Sequence, residues 1–260
     1  MVQLSEWILT LLILVPILGA VVIGTAPQAS GNPAAARRTA RTGMVFALLA
    51  LLVSVAAVVL FFQSPAGGGA AAAERGDYAL TQSFTWVSDD VEGGASRRTG
   101  YIDLRYSVGV DGLSIWLVAL TAFIMPLSIW ASFSAIRERV KEYYVLMLPL
   151  EAGMIGVFCA RDLLLLYIFF EFTLIPLFFL IAIWGGPERR RAAGTFFLYT
   201  FSGSMLTFAG VLYLAYQDYA LPPSRRGVHI VTFDLEKLYQ LPLDPAVQWW
   251  LFLAFAAGFA

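Results

Sequence analysis

The stretch that decides the fold class is YYVLMLPLEAGMIGVFCARDLLLLYIFFEFTLIPLFFLIAIW, residues 143–184. At 1.5 Å per residue, one helix of this length would measure roughly 63 Å, about twice the thickness of the hydrocarbon core of a membrane. Arg161 and Asp162 are the only adjacent charged pair inside it. We therefore divide the stretch there into two antiparallel membrane spans, Tyr143–Ala160 and Leu163–Trp184.

The composition of the whole chain supports a membrane protein. Of its 260 residues, 59% are hydrophobic and 13% are charged, whereas soluble domains have roughly 45–50% apolar and about 25% charged residues. The net charge of −1 gives no basic excess for nucleic acid. One cysteine and one histidine cannot form a disulfide, a zinc site, an iron–sulfur site or a paired-histidine haem site. Nucleotide and redox chemistry are therefore not expected in this chain.

Four further spans and the start of another flank this pair. The N-terminal apolar run could be a signal peptide, but we interpret it as a retained span because Glu6, and no Lys or Arg, precedes it and no small-residue cleavage site follows. The complete spans are Trp7–Gly24, Thr42–Phe62, Leu113–Ala135 and Phe196–Tyr216, and Val247–Ala260 begins a seventh. We predict an all-α polytopic membrane protein, divided into residues 1–62 (spans 1 and 2), 63–111 (extracytoplasmic), 112–216 (spans 3–6, with the buried acids), 217–246 (extracytoplasmic) and 247–260 (start of span 7).

The distribution of basic residues predicts the orientation. Three short connections are rich in Arg and Lys, and such loops lie on the cytoplasmic side. These residues are Arg37, Arg38, Arg41, Arg137, Arg139, Lys141, Arg189, Arg190 and Arg191. The N-terminus and both long connections are then outside. We expect the bacterial inner membrane, with the mitochondrial inner membrane as the alternative.

The first long connection has the pattern of a β-hairpin. From Ile102 to Val110 apolar residues alternate with polar residues or glycine, which is typical of a strand. Residues Leu80–Val87 are rich in Thr, Phe and Trp, as a partner strand would be, and Ser88–Ser96 supplies turn residues. We predict a short hairpin on the outer face between the second and third spans.

Glu171 is the main candidate for chemistry. It lies eight residues into its span, or about 12 Å, near the middle of the membrane. A charged acid there costs on the order of 2.5–3.5 kcal/mol, so such acids are rare and commonly functional. Desolvation favours the protonated carboxyl group unless a cation lies nearby. Pro176 follows and predicts a helix break beside the acid. These features favour a group that takes up and releases protons.

Glu151 is the second candidate, as a proton relay. It lies about eight residues into the preceding span, close to Pro149. Because the two spans are antiparallel, Glu151 and Glu171 should lie at similar depths, although not necessarily facing each other. Two acids alone would repel, so at least one should be neutral or paired with a cation. Packing through a hydrogen bond to a neighbouring helix is the alternative for each.

Several stretches resemble a known family. GVDGLSIWLVALT (Gly109–Thr121), Glu151–Gly186, FFLYTFSGSML (Phe196–Leu206) and FDLEKLYQLPL (Phe233–Leu243) resemble the proton-pumping subunit M of respiratory complex I, the counterpart of mitochondrial subunit 4. The resemblance implies an antiporter-like fold, a role in proton translocation coupled to quinone reduction, and partners among the other membrane-arm subunits and lipid. It implies that Glu171 is the coupling acid. It also implies that no NADH, redox cofactor or metal binds to this chain, and that flavin and iron–sulfur clusters lie in partner subunits.

Two departures from the family pattern shape this expectation. The lysine that pairs with the membrane acid in the family would come just after Gly258-Phe259-Ala260, where this sequence stops. We therefore expect the N-terminal part of such a subunit, either a fragment or a truncated product, which does not translocate protons by itself. Family members also commonly carry a lysine before FFLYT, where this chain has Thr195.

Two other functions remain open at this stage. A subunit of a multi-subunit sodium/proton antiporter would share the acid and the fold. A membrane scaffold without transport activity would need neither acid to ionise.

Overall fold

The computed structural model describes residues 2–27, 33–64, 78–87, 101–220 and 230–259. Six of its helices are long and apolar enough to cross a membrane, which confirms the predicted multi-pass membrane protein. They are α1 (Val2–Thr25), α2 (Pro33–Gln63), α3 (Ser114–Ala135), α4 (Val140–Cys159), α5 (Leu163–Trp184) and α6 (Arg189–Ala220). A short helix α7 (Leu235–Leu238) precedes α8 (Pro245–Phe259), which lies where the seventh span was predicted.

The charged pair at the centre of the long apolar stretch separates α4 from α5. The carboxylate of Asp162 accepts hydrogen bonds from the backbone N–H groups of Leu164 and Leu165, both at 3.0 Å. It therefore satisfies two of the donors that the first turn of α5 leaves unpaired, an arrangement that is typically worth about 1 kcal/mol. This cap sets where α5 begins and hence how deep its side chains lie.

Helices α4 and α5 pack closely because two glycines of α4 face α5. A Cβ atom at Gly153 would lie 2.7 Å from Cγ2 of Thr173, and one at Gly156 would overlap the ring of Phe169. On another side of α4, Leu148 contacts Gly19 of α1. The neighbouring helices therefore surround α4, and most of its side chains are buried or partly buried.

A small sheet covers one end of the helix bundle. Strand β1 (Ala79–Val87) pairs antiparallel with β2 (Tyr101–Val110), and β2 pairs in parallel with β3 (Ile230–Thr232). The predicted hairpin is confirmed, although its turn at Ser88–Ser96 lies outside the described residues. The third strand was not predicted. We call this end of the bundle the sheet end and the opposite end, where the arginine-rich connections lie, the arginine end.

Arg161 ties the sheet end together. Its guanidinium pairs with Glu236 and lies over the ring of Tyr78, 4.3 Å from the ring centre. Its backbone N–H donates to the carbonyl of Ser107 at 2.9 Å, and its own carbonyl accepts from Leu235. These bonds join the α4–α5 turn to the sheet and to the segment around α7, so they hold the start of α5 in place.

Two tyrosines at the sheet end take part in this packing. Burial raises the pKa of Tyr106 and, together with the nearby Asp111, that of Tyr78. Both side chains therefore stay protonated at neutral pH. The Tyr106 hydroxyl lies 3.0 Å from Oγ1 of Thr10, which links the sheet to α1.

Candidate functional site

Glu171 lies in the middle of α5, as its sequence position predicts. The side chain is partly buried, and its Oε1 atom is inaccessible and has no hydrogen-bond partner among the described residues. Pro176 is buried on the same helix, which continues as α-helix from Leu163 to Trp184. The break expected at Pro176 stays a prediction.

Tyr167 and Ser204 are the polar neighbours of Glu171. Tyr167 precedes Glu171 by one helical turn, and its hydroxyl lies near the side chains of both Glu171 and Ser204. Ser204 belongs to α6 and is fully buried. The Tyr167 ring stacks on Phe208 of α6 at 4.8 Å between ring centres, which holds the hydroxyl between the two helices. A carboxyl group and a tyrosine hydroxyl in this arrangement can share or pass a proton.

Sequence reasoning did not single out Tyr167, although a signal for it exists. Residues four apart lie on the same face of a helix, and Tyr167 stands four residues before Glu171. Ser204 lies within the predicted span Phe196–Tyr216. Its contact with Glu171 through Tyr167 depends on how α5 and α6 pack, which the sequence does not reveal.

The buried face of α6 continues toward the sheet end. Thr207 and Asp218 lie on this face, and both are nearly inaccessible. Near Thr207 the last helix approaches closely: a Cβ atom at Gly203 would lie 3.3 Å from the carbonyl oxygen of Gly258 in α8. Gly203 therefore allows the backbones of α6 and α8 to meet beside the site.

Glu151 lies elsewhere in the bundle. It is 0% exposed, and neither carboxyl oxygen has a hydrogen-bond partner among the described residues. At 3.6 residues per turn, Glu151 points roughly 170° away from the mean direction of Gly153 and Gly156, the glycines that face α5. The structure therefore brings Glu171 together with Tyr167 and Ser204, and does not bring Glu151 to that group.

The fold defines the class: this chain has the fold of the antiporter-like polytopic membrane subunits. Residues 160–222 match the family model described as NADH:quinone oxidoreductase/Mrp antiporter, TM, and residues 95–155 match NADH-ubiquinone oxidoreductase chain 4, amino terminus. The resemblance to subunit M of NADH-quinone oxidoreductase, the chain 4 counterpart, is thereby confirmed.

Three individual proteins illustrate this similarity. NADH-quinone oxidoreductase subunit M of Rhodobacter capsulatus is 48% identical over 168 residues, which cover 63% of this chain and 32% of that protein. A chain of respiratory complex I from Thermus thermophilus matches with a TM-score of 0.68 at 26% identity, over 97% of this chain and 43% of that one. A chain of the Mrp complex from Dietzia sp. DQ12-45-1b shares the fold, with a TM-score of 0.65 at 20% identity, over 96% of this chain and 23% of that one. The chain thus spans about a third of the length of the curated relatives it matches.

Proposed function

We propose that this chain forms part of a membrane-arm subunit of an NADH-quinone oxidoreductase and that Glu171 transfers protons there. The observation that carries the proposal is the placement of Glu171 at mid-helix, with an inaccessible oxygen and with Tyr167 and Ser204 as its polar neighbours. An acid held in this way can change its protonation state when the charge of a neighbouring group changes. The similarity to subunit M supports the assignment to quinone-linked translocation.

The proposal also assigns partners and orientation. Other membrane-arm subunits surround the chain, while NADH, flavin and iron–sulfur clusters bind to other subunits. The arginine end faces the cytoplasm because Arg and Lys concentrate in its short connections. The N-terminus and the sheet end then lie on the opposite, extracytoplasmic side. The membrane is the inner membrane of a bacterium.

Affinity purification from the host membrane tests the assignment. A tag is placed on the chain through its chromosomal gene, and the detergent-solubilised complex is assayed after reconstitution into vesicles. We expect NADH-quinone reductase activity to co-purify with the tag and to drive proton uptake into the vesicles. Purification without this activity, accompanied by sodium-dependent proton exchange, would instead identify a cation/proton antiporter.

Removing the hydroxyl of Tyr167 should slow proton translocation. The Tyr167→Phe chain keeps the ring that stacks on Phe208 but loses the interaction with Glu171. A hydrogen bond is typically worth about 0.5–1.5 kcal/mol, so we expect a decrease of roughly two- to tenfold in the pumping rate. The rate is measured in vesicles with a pH-sensitive dye.

Tyr199→Phe is the matched control for this substitution. Tyr199 lies on α6 with 71% of its surface exposed, so losing its hydroxyl should leave pumping unchanged. Equal pumping by the Tyr167→Phe and wild-type chains, at equal amounts of assembled complex, would show that the hydroxyl takes no part in proton transfer.

A further inference from the structure

A second acidic site lies on the opposite side of α4 from Glu171. Glu151 is fully buried with both carboxyl oxygens unpaired among the described residues. Buried polar groups in native proteins almost always bond to protein or to ordered water, and a charge without a partner is still more costly. Glu151 therefore needs a proton, and its oxygens need hydrogen-bond partners that protein groups do not supply directly.

The face of α4 that carries Glu151 points toward α1, α2 and α3. Tyr144 lies seven residues earlier and is displaced by only about 20° around the helix. Its ring packs over Gly43 of α2, and its hydroxyl lies 2.9 Å from Oγ of Ser132 in α3. Leu148, one turn before Ala152, contacts α1 at Gly19. Glu151 is thus enclosed by the first four helices.

Glu151 also lies at the boundary between two apolar clusters. Leu148 and Ala47 belong to the cluster on the arginine side, whereas Ala152 and Ala50 belong to the cluster on the sheet side. On α2, the next buried residue toward the sheet end is Ser54, one turn beyond Ala50. Ser54 is 0% exposed, and its hydroxyl has no partner among the described residues.

Prolines on α1 and α3 fall at the same level. Because α1 is antiparallel to α4 and Gly19 contacts Leu148, Pro16 is level with Glu151. In α3, which is also antiparallel to α4, Ser132 meets Tyr144. Pro126 lies six residues before Ser132 and Glu151 lies seven residues after Tyr144, so Pro126 is at about the level of Glu151. A proline has no N–H group to donate to the carbonyl four residues back.

The carbonyls deprived of these donors belong to Leu12 and Ala122, and both residues are 0% exposed. Since α1 and α3 run from the sheet end to the arginine end, these carbonyls lie on the sheet side of the prolines. They are therefore within about one turn, or 5.4 Å, of the level of Glu151 and close to that of Ser54.

The groups at this level are mostly hydrogen-bond acceptors. Among the described side chains, α1 from Trp7 to Thr25 and the whole of α3 contain no charged residue. Apart from Glu151 itself, the charged residues of α2 and α4 lie near the arginine end; they are Arg37, Arg38, Arg41, Lys141 and Glu142. Tyr144 is the titratable group nearest to Glu151 along its face, and its hydroxyl is engaged with Ser132. Among the described residues, none of the basic side chains of these four helices lies at the level of Glu151. The carboxyl group must therefore be neutralised by a proton, and its hydrogen bonds must be completed by water.

We propose that Glu151, Ser54 and the carbonyls of Leu12 and Ala122 form a hydrated proton-binding site within α1–α4. Glu151 holds the proton as a neutral carboxylic acid, and water connects it to the Ser54 hydroxyl and to the carbonyls. Water at a buried site needs two to four polar partners, which this set supplies. The site is separate from Glu171 and does not depend on a coupling role for that residue.

Infrared spectroscopy of the assembled protein in its host membrane tests the proposal. The carbonyl stretch of a protonated carboxylic acid is separated from that of a carboxylate and shifts when the acid proton is exchanged in D₂O. We expect this band to be lost in Glu151→Gln, and to move to higher frequency in Ser54→Ala because a hydrogen bond is removed. The Glu171→Gln protein should keep the Glu151 band, so this test is independent of the coupling role.

Ser128→Ala is the matched control for Ser54→Ala. Ser128 is exposed on α3 and donates to the carbonyl of Ile124, so its replacement should not move the band. Where Glu151→Gln does not accumulate, the two serine variants decide the question. The proposal is overturned if the band survives in Glu151→Gln, if Ser54→Ala leaves it in place, if D₂O does not shift it, or if sodium ions abolish it in the wild type.

Discussion

Glu171→Gln is expected to assemble like the wild type and to lose proton translocation. Glutamine has nearly the shape of glutamate and can still accept a hydrogen bond from Tyr167, but it cannot release a proton at any physiological pH. General acid–base groups commonly contribute 10²–10⁴-fold to a rate, so we expect a decrease of at least roughly 100-fold. Proton uptake by vesicles, normalised to the amount of assembled complex, measures the effect.

Two further variants make the result specific to Glu171. Glu188→Gln removes an exposed acid next to the arginine triplet at the start of α6, and should leave pumping unchanged. Glu171→Asp keeps an acid but withdraws it by one methylene from Tyr167, and should retain part of the rate. If Glu171→Gln pumped normally in an intact complex, the residue would have a packing role, as expected of a scaffold.

The membrane spans are the part of the fold that the sequence predicts best. The boundaries of α5 agree with the predicted span Leu163–Trp184 because the hydrocarbon thickness imposes a length and the charged pair at Arg161 imposes a break. Alternating residues likewise predict β2 to within one residue. Strand β3 was missed since it has only three residues, Ile230–Thr232, and exists through parallel pairing with a distant strand.

The sequence predicts how deep the two acids lie in the membrane, but not which neighbouring helix each side chain faces. Counting residues from the start of each span places Glu171 and Glu151 near the middle of the membrane. Both helices are apolar around most of their circumference, so no amphipathic pattern indicates which face meets which neighbour. Only the packed structure shows that Gly153 and Gly156 face α5 and that Glu151 therefore faces the opposite way.

Gly156→Ala is expected to be among the most destabilising single-methyl additions in the bundle. A Cβ atom there would overlap the ring of Phe169, which packs on α4 and stands two residues from both Tyr167 and Glu171 along α5. Inserting a methyl group into a packed interface typically costs about 1–3 kcal/mol, because the helices must separate or the ring must leave its preferred rotamer. Either response moves α5, so we expect proton pumping to fall together with the melting temperature of the purified complex.

Gly194→Ala is the control that separates crowding from the loss of a glycine. Gly194 lies within α6, and a Cβ atom there would meet nothing within 4 Å. Alanine is favoured over glycine in helices by roughly 0.5–1 kcal/mol, so this variant should be at least as stable as the wild type.

A compensating substitution tests the mechanism itself. Phe169→Leu removes the ring that the new methyl group would strike, so the double variant Gly156→Ala, Phe169→Leu should regain part of the stability lost in Gly156→Ala. Residues in contact commonly show interaction energies of about 0.5–3 kcal/mol in such a cycle. Additive effects of the two substitutions on the melting temperature would mean that Gly156 does not set the distance between α4 and α5. The position of Glu171 would then depend on the cap at Asp162 and the contacts of Arg161 at the sheet end.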